Sequence, residues 1–203
     1  MNTRVPKVRR RKRILVGCAA AAMLALSGCR ATADLVSYDL PAQSARYTFE
    51  TTTNGATTVW NYTSAKPAKN DAPEHNPCLG TVLGDNMAAC RPEPLIFLRY
   101  DLDLAVDNTA KAGDTHEIKI TGYYQERLGT LPKVTSLKTE VSFDGGTTWR
   151  HTSVEKDGKN TFTTEIKHPK REQAAKGVAL RINATDSEGN TVKQTLPTAY
   201  KLR

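Results

Sequence analysis

The stretch from Ser142 to Trp149 places a carboxylate, hydroxyl groups, two glycines and a large aromatic ring within a few positions. Asp144 can accept hydrogen bonds from the backbone N–H groups that follow it, and Gly145 and Gly146 can adopt the positive φ angles of a tight turn. The stretch therefore predicts a structural β-hairpin with Ser142, Asp144, Gly146 and Trp149 as its key residues. The competing interpretation makes Asp144 an exposed ligand or a catalytic carboxylate.

The spacing S-x-D-x-G-x-T-W in this stretch resembles the Asp-box hairpin that recurs around sialidase propellers, where it is mainly structural. A propeller needs such a hairpin in several blades at a regular period. This chain carries one copy of the pattern. A structural hairpin is therefore favoured over a remnant of a sialidase.

Other residue types that perform chemistry form no recognisable set. The four histidines are His75, His116, His151 and His168. None of them lies at metal-ligand spacing from a Cys, an Asp or another His. The chain has no G-x-S-x-G nucleophile elbow and no glycine-rich phosphate loop. Asp101 and Asp103 could bind calcium, although a solvated strand end is the favoured interpretation. The sequence predicts no catalytic residue, no metal and no cofactor.

Two adjacent tyrosines, Tyr123 and Tyr124, could form a sugar-binding platform. Successive side chains of a β-strand point to opposite faces, so the two rings cannot share one face if a strand carries them. We expect one of the two rings to pack in the core.

The chain begins with the pattern of an export signal. A basic segment within residues 4–13 is followed by an uncharged apolar run from Ile14 to Leu26. This run is short for a membrane span and has the length of a signal-peptide core. The sequence therefore predicts export through the general secretory route.

Two processing sites compete at the end of this signal. Leu26-Ser27-Gly28-Cys29 resembles a bacterial lipobox, in which Cys29 is lipidated and becomes the mature N-terminus. Residues 31–33 (Ala-Thr-Ala) match an ordinary signal-peptidase site. The first site predicts a lipoprotein on the extracellular face of the cell membrane, and the second predicts a secreted protein. The lipobox is the favoured interpretation.

The positive charge of the chain belongs to this leader. Eight of the 29 basic residues and none of the 21 acidic residues lie in residues 1–33, so the remainder is neutral. The pI of about 9.4 is therefore no argument for a nucleic-acid-binding surface.

Two cysteines, Cys78 and Cys90, remain beyond the leader. An isolated pair in an exported chain predicts a disulfide, which would stabilise a loop this short by roughly 2–3 kcal/mol. Two free thiols are the alternative, and a zinc site with His75 is less favoured. Residues 64–94 are rich in proline and polar residues, and so long a loop is a place to look for function.

The sequence pattern predicts that β-strands position these residues along the whole mature chain. Asn54-Gly55 between two β-forming runs predicts a hairpin. Seven short alternating strands follow, at Leu95–Tyr100, His116–Tyr123, Val134–Phe143, Thr148–Val154, Thr161–Ile166, Val178–Ala184 and Thr191–Ala199. The single helical hint, Lys170–Lys176, is brief and polar. This pattern predicts an all-β immunoglobulin- or fibronectin-III-like sandwich preceded by a small hairpin segment. The expected divisions are a signal over residues 1–28, the hairpin and disulfide loop over 29–92, and the sandwich over 93–203.

Several segments of the chain resemble, in the same order, one region of a known protein family. The segments that carry it are Trp60–Ser64, Leu95–Asp101, Asp107-Asn108, Ser136-Leu137, Ser142–Trp149 and Ala184–Arg203. Together they resemble the non-catalytic C-terminal region of large secreted subtilisin-like serine proteases of actinobacteria. The chain has nothing similar to the Asp, His and Ser motifs of the protease domain, and the Cys78–Cys90 loop has no counterpart. The resemblance implies an accessory β module with its own export signal.

Three functions follow as alternatives. The favoured one is a non-enzymatic, surface-attached β-sandwich that binds an extracellular protein or polymer and no nucleic acid. The second is an accessory or regulatory partner of an extracellular subtilisin-like protease. The third is an unrecognised hydrolase.

Overall fold

The computed structural model describes residues 12–15, 30–31, 36–37, 39–68, 90–126 and 128–203. These residues form an all-β protein with two packed antiparallel sheets, which confirms the predicted β-sandwich. Alternating β-formers separated by Gly, Asn, Asp and Pro turns account for this architecture.

The strands are β1 (Lys12–Leu15), β2 (Arg30–Ala31), β3 (Val36–Ser37), β4 (Ala45–Thr53), β5 (Ala56–Ser64), β6 (Phe97–Asp101), β7 (Thr109–Ala110), β8 (Thr115–Tyr123), β9 (Val134–Ser142), β10 (Arg150–His151), β11 (Ser153–Lys156), β12 (Thr161–Lys167), β13 (Val178–Asp186) and β14 (Thr191–Leu202). One 3₁₀ turn, Arg171–Ala174, lies within the polar stretch that gave the sequence its helical hint.

The larger sheet has the strand order β1-β4-β5-β14-β13-β9-β10, with β7 paired in parallel to the end of β14. The smaller sheet has the order β11-β12-β8-β6, and β2 pairs with β3 separately. In the larger sheet β1 also runs parallel to its neighbour β4, whereas the central pairs are antiparallel.

The core lies between the two sheets and follows the predicted alternation. Ile118 and Ile120 on β8 are fully buried, while Lys119 between them is exposed. Leu180 and Ile182 on β13 are fully buried, and Arg181 between them points away from the core. The period of two in the sequence therefore identified the inward faces correctly.

The hairpin of β4 and β5 turns at Asn54 and Gly55, whose φ angles are +51° and +80°. Positive φ at both positions is what a two-residue hairpin of this kind requires. β5 also pairs with β14, from Asn61 opposite Thr191 to Thr57 opposite Thr195. The hairpin that was expected to precede the sandwich is therefore hydrogen-bonded into its larger sheet.

The single strand predicted over residues 148–154 is two strands in different sheets. β10 pairs with β9, whereas β11 pairs with β12. Between them Thr152 donates its N–H to Thr139 O at 3.1 Å, and its hydroxyl lies 2.7 Å from that of Thr164 on the opposite sheet. The chain crosses between the sheets here, as strands do at the corners of sandwiches.

Candidate functional site

The Asp144 carboxylate closes the hairpin that the sequence singled out. Oδ1 accepts the N–H groups of Thr147 and Thr148, both at 2.9 Å, and Oδ2 accepts the Thr148 hydroxyl at 2.6 Å. The buried hydroxyl of Ser142 donates to Oδ1 at 2.7 Å and accepts the Gly146 N–H at 2.9 Å. Gly145 and Gly146 have φ angles of +75° and +85°. The geometry matches the predicted structural hairpin.

These bonds also determine the charge state of Asp144. Hydrogen bonds from Thr148, and then from Ser142 and Thr147, hold the pKa of Asp144 well below its usual range. A cleft of about 200 Å³ opens beside the carboxylate, with Arg150 and Gln173 on its wall. An ionised carboxylate whose oxygens are occupied by the turn itself is a poor proton acceptor for a ligand in that cleft.

Trp149 packs on the outer face of the larger sheet and not in the core. The Arg181 guanidinium lies 3.9 Å from the centre of the indole ring, and the indole N–H donates to Gly146 O at 3.0 Å. Glu140 Oε2 lies 3.4 Å from Arg181 Nη1 on the other side. The key aromatic residue of the predicted hairpin therefore lies outside the sandwich core, because the turn returns the chain over the outward-facing residue of β13.

A second carboxylate turn, Asp186 to Asn190, lies at the other end of β13. Asp186 Oδ1 accepts the N–H groups of Glu188 and Asn190 at 2.9 and 2.8 Å. Oδ2 accepts the Tyr124 hydroxyl at 3.1 Å and the Asn190 amide at 2.9 Å. The side-chain Oδ1 of Asn190 in turn accepts the Thr63 N–H at 3.3 Å. Through the buried side chains of Asp186 and Asn190, this turn joins the two sheets to the β4–β5 hairpin.

Tyr123 and Tyr124 point to opposite faces, as strand geometry predicted. Tyr124 is 7% exposed, and its hydroxyl pKa is raised by burial and by the Asp186 carboxylate that it contacts. Tyr123 is 41% exposed. The pair cannot form a two-ring platform, and Tyr123 alone remains available on the surface.

Tyr123 ends a row of four aromatic rings, the aromatic strip, consisting of Phe49, Trp60, Phe97 and Tyr123. Consecutive ring centres are 5.5, 5.8 and 5.6 Å apart. Trp60 is anchored by a 2.7 Å hydrogen bond from its indole N–H to Ile96 O. The Arg99 guanidinium lies 5.3 Å from the Tyr123 ring centre. Sequence reasoning missed this strip, because its rings come from four strands and only strand order places them in contact.

The loop predicted over residues 64–94 is tied at its two ends. Ser64 Oγ donates to Glu93 Oε1 at 3.0 Å and accepts from Arg91 Nη2 at 3.0 Å. Burial raises the pKa of Glu93, against the hydrogen bond from Ser64 and the charge of Arg91. Residues 69–89 lie outside the described residues, and Cys78 with them, so the Cys78–Cys90 disulfide stays a prediction. Cys29 also lies outside the described residues.

The remaining candidate metal ligands, the Asp101 and Asp103 pair and the four histidines, do not come together in one site. Asp101 and Asp103 contact each other only through the Asp103 N–H at 3.4 Å from Asp101 Oδ1. His151 lies on the outer face, 4.0 Å from Glu140, whereas the half-buried His116 stacks against the buried His168. His75 lies outside the described residues, among which no group of three His, Cys, Asp or Glu side chains could hold a metal ion.

In the part of the chain that the structure describes, no helix is long and apolar enough to cross a membrane. No protein-family model matches the chain, and no curated protein matches its sequence significantly.

Proposed function

We propose that this protein is a non-enzymatic, exported β-sandwich of the immunoglobulin-like type, attached to the membrane through Cys29, that binds an extracellular protein partner. The observation that carries the proposal is the aromatic strip, which ends in the exposed Tyr123 ring with the Arg99 guanidinium beside it. Tyr, Trp and Arg are the residues that dominate binding energy in protein interfaces.

The strip has the construction expected of an interface anchor. Phe97 and Arg99 both contact the Tyr123 ring, and Phe97 in turn packs against the buried Trp60. A ring held in this way loses little conformational entropy when a partner covers it, so more of the buried apolar area contributes to binding. The position is an open sheet face, which suits a macromolecule better than a small ligand.

The two carboxylate turns support the non-enzymatic part of the proposal. Asp144 is the residue that the competing interpretation makes a ligand or a catalytic carboxylate, and Asp186 is the central carboxylate of the second turn. Both use their oxygens for hydrogen bonds within the fold, four or more to each carboxylate. Neither oxygen pair is left to activate a water molecule or a substrate.

Site-specific photo-crosslinking in the cell that makes the protein tests the proposal. A photoreactive phenylalanine derivative replaces Tyr123 in one strain and Glu165 in a matched control strain. Glu165 is exposed on β12 of the same sheet, and its register with β8 places it on the same outer face. We expect a crosslinked protein adduct at position 123 and none at position 165.

Two further variants sharpen the test. Tyr123→Ala and Arg99→Ala, each combined with a crosslinker at Thr121, should reduce the adduct by roughly tenfold if these side chains anchor the partner. An adduct made equally well from position 165, or a crosslink to polysaccharide alone, would overturn the protein-binding proposal. A subtilisin-like protease identified in the adduct would assign the accessory role that the family resemblance implies.

A further inference from the structure

The end of the sandwich beside the Asp144 hairpin holds a pair of stacked imidazoles. His116 on β8 and His168 just after β12 stack with their ring centres 5.1 Å apart. Tyr200 on β14 lies 5.6 Å from both rings, and Phe143 meets His168 edge-on at 6.5 Å. His168 is 3% exposed, and His116 is half-buried. A buried imidazole that can gain a positive charge is therefore in contact with a second imidazole.

The hydrogen bonds specify the neutral form of His168. His168 Nδ1 lies 2.9 Å from Lys111 O, so this nitrogen carries the proton, and Nε2 accepts the Tyr200 hydroxyl at 2.9 Å. His116 Nε2 lies 2.7 Å from Leu102 O and donates to it. The two carbonyl groups belong to residues 102–114, a segment that we call the strap.

The strap crosses the end of the sandwich and is also attached to the C-terminal residue, where Ala112 N–H donates to Arg203 O at 3.0 Å and Arg203 N–H donates to Ala110 O at 2.9 Å. β7 within it pairs with the end of β14, and Gly113 N–H donates to Pro169 O at 3.0 Å. Next to this bond, His168 N–H donates to Asp114 O at 2.9 Å. The imidazoles therefore hold the strap near both of its ends.

We propose that His168, stacked on His116, forms an acid-sensitive latch, which ties the strap to the sandwich while the His168 ring is neutral and loosens it when that ring is protonated. This proposal goes beyond the binding function and does not depend on the aromatic strip. An exported protein meets the pH of its surroundings directly, so such a latch would make this end of the sandwich respond to acid.

Protonation is unfavourable here for three reasons. A charged His168 would lie almost fully buried. Its new Nε2–H would face the Tyr200 hydroxyl, which would lose its acceptor. A second charge on His116 would lie 5.1 Å from the first, between ring centres.

The charged groups around the two histidines do not reverse the lowering of the His168 pKa by burial. Burial lowers the pKa of His168 most, the hydrogen bond to Lys111 O raises it, the charge of His116 lowers it and that of Asp114 raises it. The Asp114 carboxylate lies at the surface, 2.8 Å from Lys111 Nζ, which offsets its charge. Tyr200 and Phe143 face the pair without a charge, since burial raises the pKa of the Tyr200 hydroxyl above its usual value.

The sign of the effect follows from these shifts. A histidine whose pKa is lower in the folded state than the ordinary value of about 6.5 takes up its proton more readily when it is released. The latch is therefore at full strength above about pH 6.5 and weakens as the pH falls below it. One such group reduces the equilibrium constant for closing by up to about tenfold per pH unit.

Amide hydrogen exchange of the full chain between pH 7 and pH 5 tests the latch, with rates corrected for the intrinsic pH dependence. We expect protection of Ala112, Gly113 and Asn108 in the strap to fall about tenfold or more. The N–H groups of Leu180 and Ile182 in the core strand β13 should change much less, because the opening is local. His168→Gln, which keeps hydrogen-bonding capacity without titrating, should remove most of the pH dependence.

His116→Gln provides a second, independent variant, and His151→Gln is the matched control on the exposed outer face. The control should retain the full pH dependence. Strap protection that does not change between pH 7 and pH 5 would overturn the latch. A change that persists in both His168→Gln and His116→Gln, or that is equal in β13 and the strap, would overturn it as well.

Discussion

Two turns in this protein are centred on an aspartate and use it differently. In both, the carboxylate accepts N–H groups from residues two to four positions further along the chain. Each hydrogen bond of the Asp144 carboxylate comes from within residues 142–148. Asp186 is 3% exposed and also binds Tyr124, which lies 62 residues earlier.

Other residues of the Asp186–Asn190 turn also bind residues that are distant in sequence. Asn190 accepts the Thr63 N–H, Gly189 O accepts from Arg46 Nη2 at 2.9 Å, and Ser187 N–H donates to Lys133 O at 2.8 Å. Contacts between residues far apart in sequence close long loops, so these bonds hold distant segments of the chain together. The same local chemistry therefore stabilises one hairpin end at Asp144 and the assembly of both sheets at Asp186.

The largest loss in the free energy of unfolding is expected for Asp186→Ala. The substitution leaves the Tyr124 hydroxyl, the Asn190 amide and two backbone N–H groups without an acceptor in the interior. We expect a loss of about 3 kcal/mol or more in the free energy of unfolding, since each orphaned buried donor costs about 1–3 kcal/mol. Urea denaturation of the variant and the wild type measures the difference.

Tyr124→Phe serves as the control for this prediction, because it removes one donor and keeps the ring in the core. It should cost about 1–2 kcal/mol, less than Asp186→Ala. If Asp186→Ala unfolds at the wild-type urea concentration, the two turns do not differ in the way that their contacts indicate.

Trp149→Ala should have an intermediate effect. The substitution removes the contact of the indole with the Arg181 guanidinium and its hydrogen bond to Gly146 O. No buried cavity forms, because the ring lies on the outer face. We expect a cost of about 1–2 kcal/mol, below the 3–5 kcal/mol of a buried tryptophan. Trp149→Phe should recover part of this cost. A loss as large as that of Asp186→Ala would instead place the indole in the core.

The smallest effect should be that of Asp144→Asn, and it should depend on pH. The hydrogen bonds from Thr148, Ser142 and Thr147 favour the ionised carboxylate and lower its pKa in the folded state. The stabilisation is therefore present above the ordinary pKa of about 3.9 and is lost as the pH falls through the lower folded value. Thermal melts at pH 7 and pH 3 should show a smaller difference between the variant and the wild type at the lower pH. A constant difference at both values would contradict this origin of the effect.

Much of the local structure could be predicted from the sequence. The Asn54-Gly55 turn, the Asp144 turn and the alternation of Ile118 and Ile120 depend on residues a few positions apart, and the chain folds them as expected. Hydrogen bonds from an aspartate to the next residues, positive φ at glycine, and a period of two require no knowledge of what lies across the fold.

What the sequence could not determine depends on partners far along the chain. The pairing of β5 with β14, the crossing of the chain between sheets at Thr152, and the stacking of His116 on His168 all join distant segments.

The sequence by itself therefore determined the turns, the inward faces of the strands and the all-β class of this protein. Tertiary structure alone decided that Trp149 covers Arg181 outside the core, that Asp186 is buried, and that the four rings of the aromatic strip meet. The physical reason is that turn and alternation signals act over a few residues. Strand order and sheet packing instead arise from the burial of the whole chain's apolar surface, to which each short segment contributes only a part.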